Sequence, residues 1–381
     1  MDLLESGYKM NTKSRKRVII VVTNDLQTDQ RVHKVALSLQ KTGFEPCLLG
    51  VLRPKSLPIQ REYRVRRLFL FYHSSFLFYA EYNIRLFLLL LFSRFDIVLS
   101  NDIDTLPASF FAAKIRRKAI VFDAHELFPE VPELVGRPFV KKVWESIESL
   151  ILPHIQYAYT VCQPIADIYT DKFKINMRVV RNAPMKSSMP VLTKKPYDFD
   201  GKKMILYQGA VNVGRGIEWV IDAMPYLDNV VYCIAGTGDI YDEIKFKIDA
   251  MGLNDRVILL GRIPFEELYR YTFSADLGLC LLENRGLNYY YSLPNRVFDF
   301  ALANVPILAT DFPEIRNVVE KYELGVLVSN YSPQFLAQEI VKILDNSTAF
   351  TGKDNIFAFV KDELCWENEE KTLHEVFSTL R

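Results

Sequence analysis

The chain has 381 residues, enough for two domains of ordinary size, and 49% of them are hydrophobic against 24% charged. That composition excludes a disordered chain and supplies a real core. The formal net charge of +1 leaves no global basic field, so nucleic acid is not an implied partner. Five cysteines, Cys47, Cys162, Cys233, Cys280 and Cys365, stand singly without CxxC spacing, which fits reduced structural thiols and a cytoplasmic location. The N-terminal stretch 1–17 is charged and has no apolar core, so no signal peptide is expected. The apolar stretch 68–92 is interrupted by His73, Glu81, Asn83 and Arg85. Its clean run, 86–92, is shorter than the roughly 20 residues a membrane-spanning helix needs.

Residues 17–23, RVIIVVT, form a continuous aliphatic run of the kind that makes a strand buried on both faces. Asn24 and Asp25 begin a loop. Asp29 then opens a helical pattern with Val32, Val35, Ala36 and Leu39 on one face and Gly43 at its end. A second strand follows at 45–51. Strand, loop, helix, glycine and strand make a βαβ unit, which implies a parallel sheet. The alternation continues with strands at 95–100, 118–123, 158–161 and 178–180, a helix at 106–115 and an amphipathic helix at 139–152. The polar stretch that runs from Arg181 to Lys203 reads as a linker. A second series has strands at 204–207, 230–234, 257–260, 277–281 and 306–309, each followed by a helical stretch. A last helix covers 366–380. The expected architecture is α/β, with two doubly wound Rossmann-like domains facing a central cleft. Residues 1–185 make the first domain, together with a C-terminal helix at 366–381, and residues 200–365 make the second. In such sheets, ligands bind beyond the carboxyl ends of the strands, near the point where strand order reverses.

Two segments of the second half suit a phosphorylated ligand. Tyr207-Gln208-Gly209, running on to Gly214-Arg215-Gly216, follows a strand and opens a helix. Glycines let a ligand approach the backbone closely, a helix start offers free N–H groups, and Arg215 adds a planar fork for phosphate oxygens. The plainer reading is a turn with a surface arginine. Pro294-Asn295 starts a further helix, and Asp299 lies one turn into it. That carboxylate suits either a pair of vicinal hydroxyls, such as a ribose offers, or simple dipole compensation.

The segments YQGAVNVGRGIEWVIDAM, IAGTGD, VILLGRIPFEELYRYTFSADLGL and LPNRVFDFALANVPILATDFPEI resemble, in order and spacing, the donor-binding half of group 1 glycosyltransferases of family 4. The resemblance covers residues 204–328 well. The first half is similar to the same superfamily through VTNDLQTDQRVHKVALSLQKTGF, NDIDTLPAS and FDAHELFPEVPEL. The resemblance implies the GT-B arrangement and transfer of a sugar from a nucleotide diphosphate donor. It places Arg215 at the donor diphosphate, Arg262 and Pro264 at the nucleobase, Pro294 and Asn295 at the diphosphate, and Asp299 at the ribose. Gly209 and Gly214 belong to the same donor loop. In the Glu-x7-Glu pattern of the family, Asp299 replaces the second acid, and Tyr291 stands where the first would be. Glu283, the nearest upstream acid, is a candidate substitute, and Ala210 stands where an arginine is usual.

In the first half, Asp123, His125 and Glu126 follow directly on a predicted strand, and the resemblance puts His125 near the transferred sugar. Histidine also suits proton transfer near neutral pH. The expected catalytic set is His125, Arg215 and Asp299. Asn24, Asp25, Arg31, Asp123, His125 and Glu126 form the acceptor side, with Asp29, Asp102 and Asp104 as neighbours. His33, His73, His154 and His374 read as ordinary structural histidines.

No cofactor or metal is expected. The one Asp-x-Asp of note, Asp102 and Asp104, lies in the acceptor half. Retention of anomeric configuration follows from the resemblance only. The partners implied are a nucleotide-sugar donor and a glycan or lipid-linked acceptor. Arg66, Arg67, the aromatic stretch to Phe92, and Lys141, Lys142 and Trp144 combine basic and apolar groups of the kind that rest on an anionic membrane. The same residues also suit a packed helix with solvated ends. Two rivals share the donor site: a nucleotide-sugar 2-epimerase-like isomerase and a non-catalytic nucleotide-sugar binding protein. A dehydrogenase lacks its fingerprint, because no GxGxxG follows the first strand.

Overall fold

A computed structural model describes residues 15–27, 29–54, 56–131, 134, 136–186, 196–346, 350 and 362–380. Two compact units emerge. One comprises Met1–Asp123, His154–Ala158 and His374–Arg381, and the other Ala124–Pro153 and Tyr159–Leu373.

The first sheet contains β1 (Arg17–Val21), β2 (Glu45–Leu52), β3 (Arg64–Phe69), β4 (Ile97–Asn101), β5 (Ala119–Ala124), β6 (Tyr157–Thr160) and β7 (Met177–Val179). Their order is β3-β2-β1-β4-β5-β6-β7, and β1 runs parallel to both β2 and β4. Strand order therefore reverses between β1 and β4, as in a doubly wound sheet. Helices α1 (Gln30–Lys41), α2 (Ser75–Phe92), α3 (Asp102–Arg116), α4 (Pro138–Ile151) and α5 (Gln163–Phe173) alternate with these strands. Asp29 caps α1 by accepting from the Val32 N–H at 3.1 Å. The aliphatic run of β1 is buried throughout Val18–Val21, the burial expected of a central parallel strand.

The second sheet contains β8 (Lys203–Gln208), β9 (Val230–Ala235), β10 (Val257–Gly261), β11 (Leu277–Cys280), β12 (Ile307–Thr310) and β13 (Gly325–Val328), in the order β10-β9-β8-β11-β12-β13. It is parallel throughout its recorded pairs, and its order reverses between β8 and β11. Helices α6 (Ile217–Ala223), α7 (Tyr241–Ala250), α8 (Phe265–Ser274), α9 (Leu287–Tyr290), α10 (Asn295–Leu302), α11 (Pro313–Lys321) and α12 (Pro333–Asp345) connect the strands, and α13 (Trp366–Ser378) follows them. Apolar clusters fill both faces of this sheet. One is built around Ile205, Ile221 and Ile340, the other around Leu206, Phe300 and Ile315. Glu369 of α13 pairs with Arg181 at 2.6 Å within the second unit, and Phe377 packs edge-on against Phe44 within the first.

Three differences from the sequence reading matter. β3 and β13 are additional edge strands. Helix α3 begins at Asp102 rather than at 106, so Asp102 and Asp104 lie in its first turn, directly after β4 ends at Asn101. The run 86–92 is the last part of the 18-residue α2, which by length and composition alone is apolar enough to cross a membrane. This helix buries Phe78, Tyr82, Leu86 and Leu90 at i, i+4 spacing against Ile19, Val21, Leu49 and Val51, and turns Phe76, Ile84, Leu88 and Phe92 outward.

Candidate functional site

In the second sheet the loops after β8 and β11 flank the reversal point, where a ligand of an open parallel sheet sits. Backbone contacts stitch the loops after β8, β9 and β10 together. The Gly209 N–H donates to the Ala235 carbonyl at 3.0 Å, that of Gly236 to Gly261 at 2.8 Å, and that of Val211 to Thr237 at 3.1 Å. The fit is close enough that a Cβ on Gly236 would lie 1.8 Å from the Gly209 carbonyl oxygen, and φ there is +152°. Gly209 itself has φ +134°, so glycine is required by conformation on one side and by space on the other.

Gly214 also adopts a positive φ, +79°, and its carbonyl accepts from the Glu283 N–H at 2.9 Å. The end of β11 is thereby brought against the Arg215 loop. The Arg215 guanidinium lies 4.6 Å over the ring of Tyr289, and its Nε is buried with no hydrogen-bond partner among the described residues. A cation held on an aromatic face with an unmatched donor is poised for an anion. Glu283, the expected substitute acid, is engaged by the Arg285 Nε at 2.5 Å. The aliphatic part of Arg285 covers Gly214, where a Cβ would meet Arg285 Cδ at 2.9 Å.

Helix α10 starts at Asn295 with Pro294 as its N-cap, and places Asp299 inward. The Gln208 Nε2 donates to Asp299 Oδ2 at 2.8 Å, and the Gln208 Oε1 accepts from the Thr272 hydroxyl at 2.7 Å. Gln208 and Thr272 are both buried, so the carboxylate is oriented by a relay with little freedom. Beneath it, Arg296 is 5% exposed and stacks 4.6 Å over Tyr207. Its two terminal nitrogens donate to the Gln208 and Leu281 carbonyls, both at 3.4 Å, the guanidinium also bonds the Tyr207 and Cys280 side chains, and its Nε has no partner among the described residues. This is a fixed positive charge under the floor of the loop. Asn295 is exposed, with its Oδ1 accepting from Asn182 at 3.1 Å. Arg262 and Pro264 are exposed in the β10–α8 connection, Pro264 as the N-cap of α8.

The same unit contains the loop after β5. His125 and Glu126 are half-buried. Buried Asn288, in the short helix α9, clasps this loop: its Oδ1 accepts from the Leu127 N–H at 3.0 Å, and its Nδ2 donates to Glu126 Oε2 at 3.2 Å. A neighbouring cavity of about 300 Å³ is lined by Glu130, Leu134, Lys141 and Arg285. At Tyr291, where the family pattern has its first acid, the carbonyl accepts from the Cys162 thiol at 3.3 Å.

In the first unit, Asn24 and Asp25 organise their own loop. Asn24 Oδ1 accepts from the Leu26 N–H at 2.9 Å, and Asp25 Oδ1 accepts from that of Gln27 at 3.1 Å. Leu26 is forced to φ 72°, an unusual conformation for leucine. Arg31 and Asp123 form a bidentate pair at 2.7 and 3.0 Å and are almost wholly buried. These two acceptor-side candidates thus hold α1 against β5. Thr23 donates to Asp104 at 2.7 Å.

Sequence reasoning named Arg215, Asp299, Glu126 and Glu283 but gave no role to the groups beside them: Tyr289 under Arg215, Gln208 and Thr272 behind Asp299, Arg296 below the loop, Asn288 at Glu126 and Arg285 at Glu283. Gln208, Thr272 and Arg296 lie inside the quoted motifs, so position was a signal for them. Asn288 carried none, because its partners are 161 and 162 residues away.

Comparison with known proteins agrees with this fold. The description "Glycosyl transferases group 1" matches residues 202–346, and "Glycosyltransferase Family 4" matches residues 29–183. An alpha-D-kanosaminyltransferase of Streptomyces kanamyceticus is 24% identical over 187 residues, covering 48% of this chain and 45% of the relative. An alpha-monoglucosyldiacylglycerol synthase of Streptococcus pneumoniae is 25% identical over 187 residues, covering 47% and 39%. The chain thus spans less than half the length of these curated relatives. Among solved structures, a sucrose-phosphate synthase of Thermosynechococcus elongatus superposes with a TM-score of 0.77 at 16% identity, covering 96% of this chain and 99% of that one. HepE of Anabaena in complex with UDP-glucose superposes at 0.74 and 14%, covering 96% and 100%.

Proposed function

Because the chain belongs to the group 1, family 4-like glycosyltransferases, we propose that it moves a sugar from a nucleotide diphosphate sugar to a glycan or lipid-linked acceptor, without a metal and with retention of anomeric configuration. The observation that carries this reading is the pairing, at one sheet reversal, of Arg215 on Tyr289 with an unmatched Nε and of Asp299 held by Gln208. Departure of a sugar from a diphosphate leaves negative charge on phosphate and positive charge on the ring, and the site's task is to stabilise both. Arg215 and buried Arg296 supply fixed positive charge on the phosphate side, which is the work a metal does in other designs. Asp299 accepts from ribose hydroxyls, and the half-buried His125 and Glu126 border the transferred sugar. The bound UDP-glucose of HepE supports a nucleotide-sugar donor, and a relative named as a glucosyldiacylglycerol synthase supports a lipid-type acceptor. Such an acceptor is reached from the cytoplasmic side by peripheral membrane contact.

The test is a thermal-shift and calorimetric screen of nucleoside diphosphates and nucleotide sugars, each with and without magnesium. One nucleoside diphosphate is expected to raise Tm independently of metal. Arg215→Ala and Asp299→Ala should each weaken it at least about tenfold, the loss that goes with a charge-assisted hydrogen bond. A donor that binds but never turns over with any acceptor would identify a binding protein, its conversion to an epimer an isomerase, and no binding would overturn the donor site.

A further inference from the structure

The opposite edge of the first sheet holds a cavity for which the proposed transfer reaction has no use. β1, β2 and β3 begin there, whereas Asn24 and Asp25 follow the other end of β1. The cavity, of about 300 Å³, opens where the last turn of α2 stops short of covering the strand starts. Its floor includes Ile19 and Cys47, its wall Phe92, and its rim Arg17, Arg64, Arg66 and Arg94 against one carboxylate, Glu45. Glu45 pairs with Arg17 at 3.3 Å and with Arg64 at 3.6 Å. Arg66 and Arg94 are exposed and make no ion pair among the described residues. Four cations against one anion, in a chain whose net charge is only +1, concentrate positive potential at one place.

From this cavity an apolar stripe runs back along α2. Phe92 is 85% exposed, Leu88 50% and Ile84 61%, and steps of four residues keep these three within about 80° of one another around the helix. A soluble surface rarely exposes so many large apolar side chains in a row. Neither half of the feature explains the other's ligand alone. Inorganic phosphate would satisfy the arginines and leave the stripe bare, and an apolar partner would leave the arginines unmatched. An anionic phospholipid satisfies both.

We propose that this face docks on an anionic phospholipid bilayer, with a lipid phosphate between Arg64, Arg66 and Arg94 and the α2 stripe at the acyl boundary. The proposal is independent of the donor site and of the route by which an acceptor reaches it.

The full chain is mixed with phosphatidylcholine vesicles, with and without phosphatidylglycerol, and sedimented. The rate of maleimide labelling of Cys47, on the cavity floor, is followed in parallel. Binding is expected only with the anionic vesicles, falling as salt screens the arginines, together with slower Cys47 labelling. Joint reversal R64E/R66E/R94E should lower partitioning at least about tenfold. Leu88→Ser with Phe92→Ser should also lower it, while the nucleoside diphosphate thermal shift stays as in the parent. That shift reports the donor site alone, so failure of either reading is visible by itself. Equal binding to phosphatidylcholine, no binding, or partitioning unchanged in the reversed variant would each overturn the proposal. Cys47 protection by inorganic phosphate alone would replace the lipid by a soluble phosphate. Protection that grows with protein concentration without vesicles would replace it by a second copy of the chain.

Discussion

The residues that matter most at the proposed donor site are those whose charge or orientation is fixed by something else. Gln208 bridges buried Thr272 and half-buried Asp299, so Gln208→Ala should remove two side-chain hydrogen bonds and cost about 1–3 kcal/mol of stability. Nucleotide affinity should fall with it, because Asp299 loses its orientation; chemical denaturation and calorimetry read the two effects separately. Glu148 shows the opposite balance. Burial raises its carboxyl to about 7 despite Lys172 at 3.3 Å and the Tyr169 hydroxyl at 3.2 Å. An acid raised on folding is stabilising while protonated, so its contribution is complete below the ordinary value of 4.5 and is lost as pH rises through about 7. Glu148→Gln should therefore flatten the decline in Tm between those values and gain on the parent, by about 3 kcal/mol at most, at pH 8. The Glu148 pairing was not legible in the sequence, and for Gln208 and Thr272 the motifs gave position without the contact each makes. The motifs name the residue that touches the ligand, whereas Gln208, Thr272 and Lys172 are defined by neighbours distant in the chain.

At the scale of elements, the reading of strands and helices succeeded where a segment is buried on both faces or has one clear apolar stripe. β1, β8, β9, α1 and α10 are of this kind. It failed at the edges: β3 alternates Arg64, Arg66 and Leu68 with Val65, Arg67 and Phe69, which looks like neither a core strand nor a solvated one. α2 was obscured by His73, Glu81 and Arg85, yet Glu81 is consumed capping the backbone N–H groups of Phe71 and Tyr72 and pairing with Arg85. The short helix α9 has no periodicity to read, although Asn288 makes it the clasp of the His125–Leu127 loop. Asn288→Ala is expected to slow transfer at least about tenfold while nucleoside diphosphate affinity stays within about twofold, a kcat loss without a matching loss of donor binding. A parallel loss of both would mean that α9 supports only the fold. Gly236→Ala tests the stitched loops: a methyl against the Gly209 carbonyl should lower stability by about 2 kcal/mol or more, read as a fall in Tm.

For the whole molecule, the two parallel sheets and their apolar cores follow from the alternation of strand and helix patterns, and that part was legible because βαβ connections allow few alternatives. The thiols give a check on the packing as a unit. Cys162, Cys233, Cys280 and Cys365 are buried, and burial pushes the first three to about 12. Only Cys47 is part-exposed. A thiol reagent should therefore titrate one group slowly in the native protein and five in denaturant, the transition following unfolding.

The contact between Gly236 and Gly209 reaches beyond this chain. Neither backbone can retreat, since one is tied to β9 and the other to β10 through their carbonyls. A distant relative that keeps this loop crossing has no substitute for glycine at position 236, whatever becomes of its acidic motif. That single position is therefore a better marker for recognising diverged members than the acid pair that this chain has already altered.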